Sequence, residues 1–389
     1  MQEFTSPFLF AACAPDCQDL VKHELVAQHG LRLAFSRPGL LTFKAERPLT
    51  WSEAPLSRVA ILSGLSVGAA KTLPELVELV RLKLLSGSHA ETRRAEPSSE
   101  SSLVGIGGRY AQRAWTHRAY PWPTEENEAG PSEDRLTAVS DSLERAFPLE
   151  TRRGDFELGV LVPAEARANF GYFAFARPEG AQTLPARVLP PPEAPSRAYS
   201  KLVEAVTHFR LPLRAGEGVL ELGAAPGGAT FALLELGLSV VAVDPAEMDA
   251  RLAPFADGRG LTLHHLKKPA QALESADLSP VGAPLRWLVS DMNVAPPLSA
   301  HYVLRARALM KTTLRGAILT LKLNDTAAVD TLPRVLRELE RAFGRAPRVA
   351  HLPSHRREVV VVFSQAHGSP ASPPAPPVAG VPSRQRAVL

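Results

Sequence analysis

The sequence predicts an α/β chain in two parts: a C-terminal doubly wound domain with a mostly parallel sheet, and an α+β region before it. Three observations carry this. From Ser196 onward, nearly continuous apolar runs alternate with helical segments, as in strands buried on both faces. A glycine-rich turn joins the first of those runs to the helix that follows it. The stretch LPARVLPPPEAP (184–195) is stiff and extended, the kind of segment that separates domains.

Taken in order, FLFAACA (8–14) reads as a strand. Leu20, Val21, Leu25 and Val26 give helical spacing between Asp16 and His29, and Gly30 is a stop. LRLAF and LLTFKA flank Ser36-Arg37-Pro38-Gly39 as a hairpin. A helix is expected over 73–85 from Leu73, Leu76, Val77, Val80 and Leu84. Residues 86–135 are polar, and within them GGRYAQRAWTHRAYPWP (107–123) mixes arginines with aromatics. That mixture suits either RNA contacts or a solvated loop with a few packed rings. DFELGVLV (155–162) and ANFGYFAFA (168–176) are strands. Beyond the linker, VLELG (219–223), VVAVD (240–244), LRWLVSD (285–291) and GAILTLKL (316–323) are the buried strands. A helix over 332–343 ends at Gly344, and RVAHL and REVVVVF can form a hairpin. The expected division is 1–62, 63–182, a linker at 183–195, the doubly wound domain at 196–366 and a disordered proline-rich tail at 367–389.

Composition excludes several classes. The 389 residues carry 44 basic and 40 acidic side chains, a net +4 that is too mild for a histone-like protein. Cys13 and Cys17 are the two cysteines, too few for a disulfide framework or a four-ligand zinc site, so no metal is expected. No apolar run reaches the length of a membrane span, and the start MQEFTSPFLFAACAPDCQ is a poor signal peptide. A soluble, cytoplasmic, monomeric protein is the expectation.

The sharpest motif is Val219-Leu220-Glu221-Leu222-Gly223-Ala224-Ala225-Pro226-Gly227-Gly228. Glycines at a strand-to-helix turn let backbone approach a ligand and expose helix N-terminal N–H groups. Asp244 ends the next strand, where a carboxylate can grip two ribose hydroxyls. The dinucleotide spacing G-x-G-x-x-G is absent, which disfavours NAD. Charged residues close other strands: Asp291 in VSDMN, Lys322 in LTLKLND and Glu358 in HRREVVVVF, with Lys201 on a helix before the first strand. The chain has nine lysines, so a lysine inside an apolar strand carries weight.

GAAPGG resembles motif I of the FtsJ-type ribose 2′-O-methyltransferases, and Lys201, Asp291, Lys322 and Glu358 match that family's Lys–Asp–Lys–Glu tetrad in order and context. APSR at the end of the linker and the closing HRREV resemble most the RlmM branch, which modifies a cytidine of large-subunit ribosomal RNA. The resemblance is strong over about 195–365 and fainter over 1–180. It implies a Rossmann-like domain with a seven-stranded sheet whose last strand is antiparallel, preceded by ferredoxin-like and THUMP-like RNA-binding regions. It implies S-adenosyl-L-methionine (SAM) as cofactor, held by Gly223, Ala225, Pro226, Gly227, Gly228, Asp244 and Asp291. It implies ribosomal RNA as partner.

A ribose hydroxyl needs its proton removed before it attacks. Lys322 is expected as that base, Lys201 as a second cation holding ribose or phosphate, and Asp291 and Glu358 as the carboxylates that orient both. Where the branch has an acidic residue after the third strand, this chain has Lys267 and Lys268. The competing readings are a non-catalytic binding module of the same fold, against which the complete tetrad speaks, and a methyltransferase for another RNA or a small molecule.

Overall fold

The computed structural model describes residues 4–85, 115–122, 130–147, 156–165, 168, 171–178, 187–253, 263–278, 283–310 and 314–364. The expected tail and most of the polar segment fall outside these residues. By contact the chain forms two compact units. The first is Met1–Leu184 together with Lys322–Arg334 and Val349–Val359. The second is Pro185–Leu321, Val335–Arg348 and Val360–Leu389.

The first unit is built on β1 (Ser6–Ala12), β2 (Arg32–Arg37), β3 (Leu40–Leu49), β4 (Leu62–Ala70), β5 (Trp115–Pro121), β6 (Phe156–Val162) and β7 (Tyr172–Pro178). They make one seven-stranded sheet in the order β2-β3-β1-β4-β7-β6-β5. The strands before and after residue 62 therefore share a sheet, through the antiparallel register Leu9↔Leu65 to Ala12↔Leu62. Helices α1 (Gln18–His23), α2 (Leu73–Val80) and α3 (Glu133–Ala146) belong to the same unit. α1 continues as a wider π turn over Glu24–Gln28. That turn buries Glu24, whose carboxylate accepts bonds from the Ser57 hydroxyl (2.5 Å) and the Arg58 N–H (3.1 Å). α2 starts at a capping box between Thr72 and Glu75.

One core cluster joins α2 and α3 to the sheet through Leu76, Val80, Val139, Leu143, Leu158 and Val160. A second is aromatic, with Phe10 stacked on Phe175 at 4.3 Å between ring centroids. Gly159 makes this possible, since a Cβ there would lie 2.0 Å from the Phe175 ring. The described end of the arginine–aromatic segment is β5, and its Tyr120 and Trp122 are core residues, 2% exposed. The Tyr120 hydroxyl donates to Glu157 (2.5 Å), and Arg177 holds both partners. Burial raises the Tyr120 phenol and keeps it a neutral donor. Of the two readings the sequence allowed here, packed rings is the one these residues follow. Tyr110, Arg109 and Arg113 lie outside the described residues.

The second sheet has the order β10-β9-β8-β11-β12-β14-β13. Its strands are β8 (Gly218–Leu222), β9 (Ser239–Val243), β10 (Leu263–Leu266), β11 (Leu285–Ser290), β12 (Gly316–Lys322), β13 (Arg348–Ala350) and β14 (Glu358–Ser364). β8 pairs in parallel with β9 and β11, β9 with β10, and β11 with β12. The strand order reverses beside β8, and that is where an open α/β sheet leaves a crevice at its carboxyl edge. The helices are α4 (Ala198–His208), α5 (Gly228–Glu235), α6 (Pro296–Leu309) and α7 (Thr326–Phe343). α7 begins six residues before the expected start, because Asp325 caps it by accepting from the Ala328 N–H (2.8 Å) and the helix carries Pro333 inside. The linker is fixed where described: the Val188 N–H donates to Glu204 (3.0 Å), and Arg251 donates to the Ala194 carbonyl (3.1 Å).

Candidate active site

The glycine loop leaves β8 at its carboxyl end. Gly223 and Gly227 have φ of 76° and 109°, a region closed to most side chains. A Cβ on Gly223 would meet the Asp291 carbonyl at 3.0 Å and Met292 at 2.9 Å. One on Gly227 would meet Leu252 at 2.2 Å, and one on Gly228 would meet the Ser196 hydroxyl at 2.3 Å. The Ala225–Pro226 bond is cis. Gly227 then caps α5, so the loop ends on a helix N-terminus.

Asp244, just past β9, is tied to this loop. Its carboxylate accepts from the Ala225 N–H (3.1 Å) and the Ala246 N–H (2.8 Å). The expected neighbours Lys267 and Lys268 are ion-paired, the first with Glu247 and the second with Asp277 at 2.8 Å. Their charges are thus compensated beside the Asp244 turn.

Lys201 on α4 reaches Asp291 at the end of β11, Nζ to Oδ2 3.1 Å, with the side chains 11% and 15% exposed. The apolar stripe of Leu202, Ala205 and Val206 seats α4 and so aims Lys201. The Asp291 N–H continues the sheet by donating to the Leu222 carbonyl (3.1 Å), which sets the carboxylate beside the loop. These residues line one open cleft of about 180 Å³ with Ser196, Arg197, Glu221, Gly223, Ala224 and Ala225. Lys322 ends β12 and pairs with Glu358, the first residue of β14. The four candidate charges thus form two ion pairs, Lys201–Asp291 within the second unit and Lys322–Glu358 within the first.

Sequence reasoning passed over Glu221. It is fully buried in β8, accepts from the Thr230 hydroxyl (2.6 Å) and lines the cleft. Burial pushes its carboxyl up to about 8, helped by the charges of Asp291 and Asp244, with the Thr230 bond opposing. Its signal was present: a lone acid inside an apolar strand that leads into a glycine loop. Among the described residues no group of three or more His, Cys, Asp or Glu could hold a metal ion. No described helix is long and apolar enough to cross a membrane.

Parallel strands, a glycine loop that admits no Cβ and an acidic residue at the end of the next strand are the marks of an α/β domain that takes a nucleoside-bearing ligand. Residues 194–339 match the model of the FtsJ-like methyltransferase family. Domains of that family are SAM-dependent, and the residues present fit that cofactor: the loop admits no Cβ, and the carboxylates of Asp244 and Asp291 stand beside it. The chain is 24% identical over 371 residues to the ribosomal RNA large subunit methyltransferase M of Laribacter hongkongensis, covering 90% of this chain and 93% of that one. It is 31% identical over 240 residues to the protein so named from Thauera aminoaromatica, covering 58% and 61%. With that of Halorhodospira halophila it shares 33% over 184 residues, covering 46% and 49%. Alignment thus spans nearly the whole of the first relative and about half to three-fifths of the other two.

Proposed function

We propose that the protein is an RNA ribose 2′-O-methyltransferase that modifies a cytidine of large-subunit ribosomal RNA. The observation that supports the reading is that the four residues resembling the family tetrad form two lysine–carboxylate pairs, Lys201–Asp291 and Lys322–Glu358. The naming of the relatives supports the large ribosomal subunit as source of the substrate.

In this reading SAM supplies a methyl group already activated on a sulfonium. Backbone of Gly223, Ala225, Pro226, Gly227 and Gly228 would hold it, Asp244 would take its ribose hydroxyls, and Asp291 would meet its cationic end. Lys322 removes the proton of the ribose 2′-hydroxyl, with Glu358 holding its Nζ in place. Lys201 holds the target ribose or phosphate, and Asp291 keeps Lys201 oriented. The remaining task is alignment of the hydroxyl with the methyl group for in-line displacement.

An RNA substrate also fits the first unit, which we assign to RNA binding across its two expected N-terminal regions. On one face of β1, β3 and β2, Phe8 and Phe35 are exposed. Lys44 lies 5.9 Å from the centroid of the Phe8 ring, and Arg37 4.9 Å from that of Phe35. Arg32 stands in register with Lys44, and Glu46 is the acidic exception two residues on. Rings beside cations stack bases and contact phosphates.

The test is transfer of labelled methyl from SAM to an unmodified large-subunit rRNA transcript, with the product digested to nucleosides. Label in 2′-O-methylcytidine is expected. Label on a base overturns the assignment of the tetrad.

A further inference from the structure

The chain segments on both sides of the Lys322–Glu358 pair are held by residues from the N-terminal part of the first unit, and Arg357 is the centre of that hold. Its guanidinium makes a bidentate pair with Asp19 on α1, both contacts at 2.8 Å. The same group donates to the Asp16 carbonyl (2.6 Å) and, through Nε, to the Asn324 carbonyl (3.2 Å). Its own carbonyl accepts the Leu323 N–H at 2.7 Å. Arg357 precedes Glu358, and Leu323 and Asn324 follow Lys322. One residue therefore links the backbone beside both members of the pair, and ties it to α1.

Neighbouring contacts repeat the arrangement. The Arg356 carbonyl accepts from the Glu358 N–H (2.9 Å) and the Cys17 thiol (3.2 Å). His351 lies 2.7 Å from the Val59 carbonyl. His23 pairs with Asp330 at 2.7 Å near the start of α7, and Gln28 reaches the Val329 carbonyl at 3.3 Å. An exposed ion pair by itself contributes little to stability. This one is bidentate and is extended by two carbonyls, which is geometry for fixing position.

We propose that Arg357, anchored by Asp19, is a positioning residue for methyl transfer: it sets the Lys322–Glu358 pair from the N-terminal part of the chain. The proposal rests on Lys322 acting as the base. A lysine base displaced by a fraction of an ångström loses rate while leaving the cofactor loop, in the other compact unit, as it was.

The experiment uses the full chain, SAM and a large-subunit rRNA transcript, and compares wild type with Arg357→Ala, Arg357→Lys, Asp19→Asn and Asp19→Asn/Arg357→Ala. Single-turnover transfer by Arg357→Ala is expected to fall about tenfold or more, the scale of a misplaced reacting group. SAM affinity and thermal midpoint should stay near those of wild type. Asp19→Asn should fall in the same direction, and the double variant should be no slower than Arg357→Ala, because both changes break one link. Arg357→Lys should recover part of the rate, since an ammonium cannot span the carboxylate and both carbonyls. Its pH–rate profile should also differ from wild type on the limb that reports the base. Variants that match wild type in rate and pH profile overturn the proposal. So does a rate loss matched by an equal loss of SAM binding or of folding in Asp19→Asn and Arg357→Lys. A wild type that methylates no RNA defeats the functional reading itself, a result told apart by its appearing before any substitution.

Discussion

Lys201 and Asp291, 90 residues apart in the chain, meet at 3.1 Å beside the glycine loop. The contact brings a helix and a strand end to the same cleft, and each side chain is largely shielded from water. A pair in that setting is coupled. Asp291→Leu and Lys201→Met should each destabilise the second unit, and the double variant should lose less than the sum. The coupling expected is about 1–2 kcal/mol, less than for a fully buried pair because water still reaches both groups. Chemical unfolding of the four proteins measures it; strict additivity contradicts it.

Gly227 is the position where the loop tolerates change least. Its φ of 109° and the 2.2 Å approach of Leu252 both exclude a side chain. Gly227→Ala should cost about 1–3 kcal/mol and weaken SAM binding about tenfold or more, since backbone strain and overpacking act together. Calorimetric titration with SAM reads the affinity directly. A variant that binds SAM as wild type does would show that the loop does not contact the cofactor.

Glu221 gives a pH signature. Its carboxyl stands at about 8 in the fold against 4.5 ordinarily. An acid with a raised folded value binds its proton more tightly when native, so native stability falls as pH rises from about 4.5 to about 8. Glu221→Gln lacks this loss. Its thermal midpoint should gain on wild type steadily between pH 5 and pH 8, and the gap should level off above that. A gap independent of pH would mean that Glu221 is not held protonated.

If the Phe8–Phe35 face takes RNA, Phe8→Ala/Phe35→Ala should weaken binding to an rRNA transcript while SAM affinity stays unchanged. Base stacking contributes about 1–3 kcal/mol per base, so a loss of roughly tenfold or more is the scale. Lys44→Ala/Arg37→Ala should instead flatten the salt dependence of binding. Filter binding at several salt concentrations separates the two. Wild-type binding by both variants removes this face from the RNA site.

What could be read from the sequence follows from local pattern. β8, β9, β11 and β12 are continuous apolar runs, and their ends are marked by glycine or charge, so both strands and candidate residues stood out. β4 did not, because LSGLSVGAA is made of small residues with little alternation. β5 sits in an arginine-rich segment whose Tyr120 packs against Phe175 and donates to Glu157, on strands far along the chain. The ion pairs Lys201–Asp291 and Arg357–Asp19 join residues 90 and 338 positions apart, beyond the reach of any periodicity. The resemblance proposed the first of these and was silent on the second.

The central claim, Lys322 as the base for a ribose hydroxyl, is tested most directly by labelled-methyl transfer to large-subunit rRNA with Lys322→Ala beside wild type. Loss of a general base costs about 10²–10⁴-fold in rate. The expected result is label in a 2′-O-methylated nucleoside with wild type, a fall of that size with Lys322→Ala, and equal SAM affinity for both. Transfer by Lys322→Ala at the wild-type rate contradicts it.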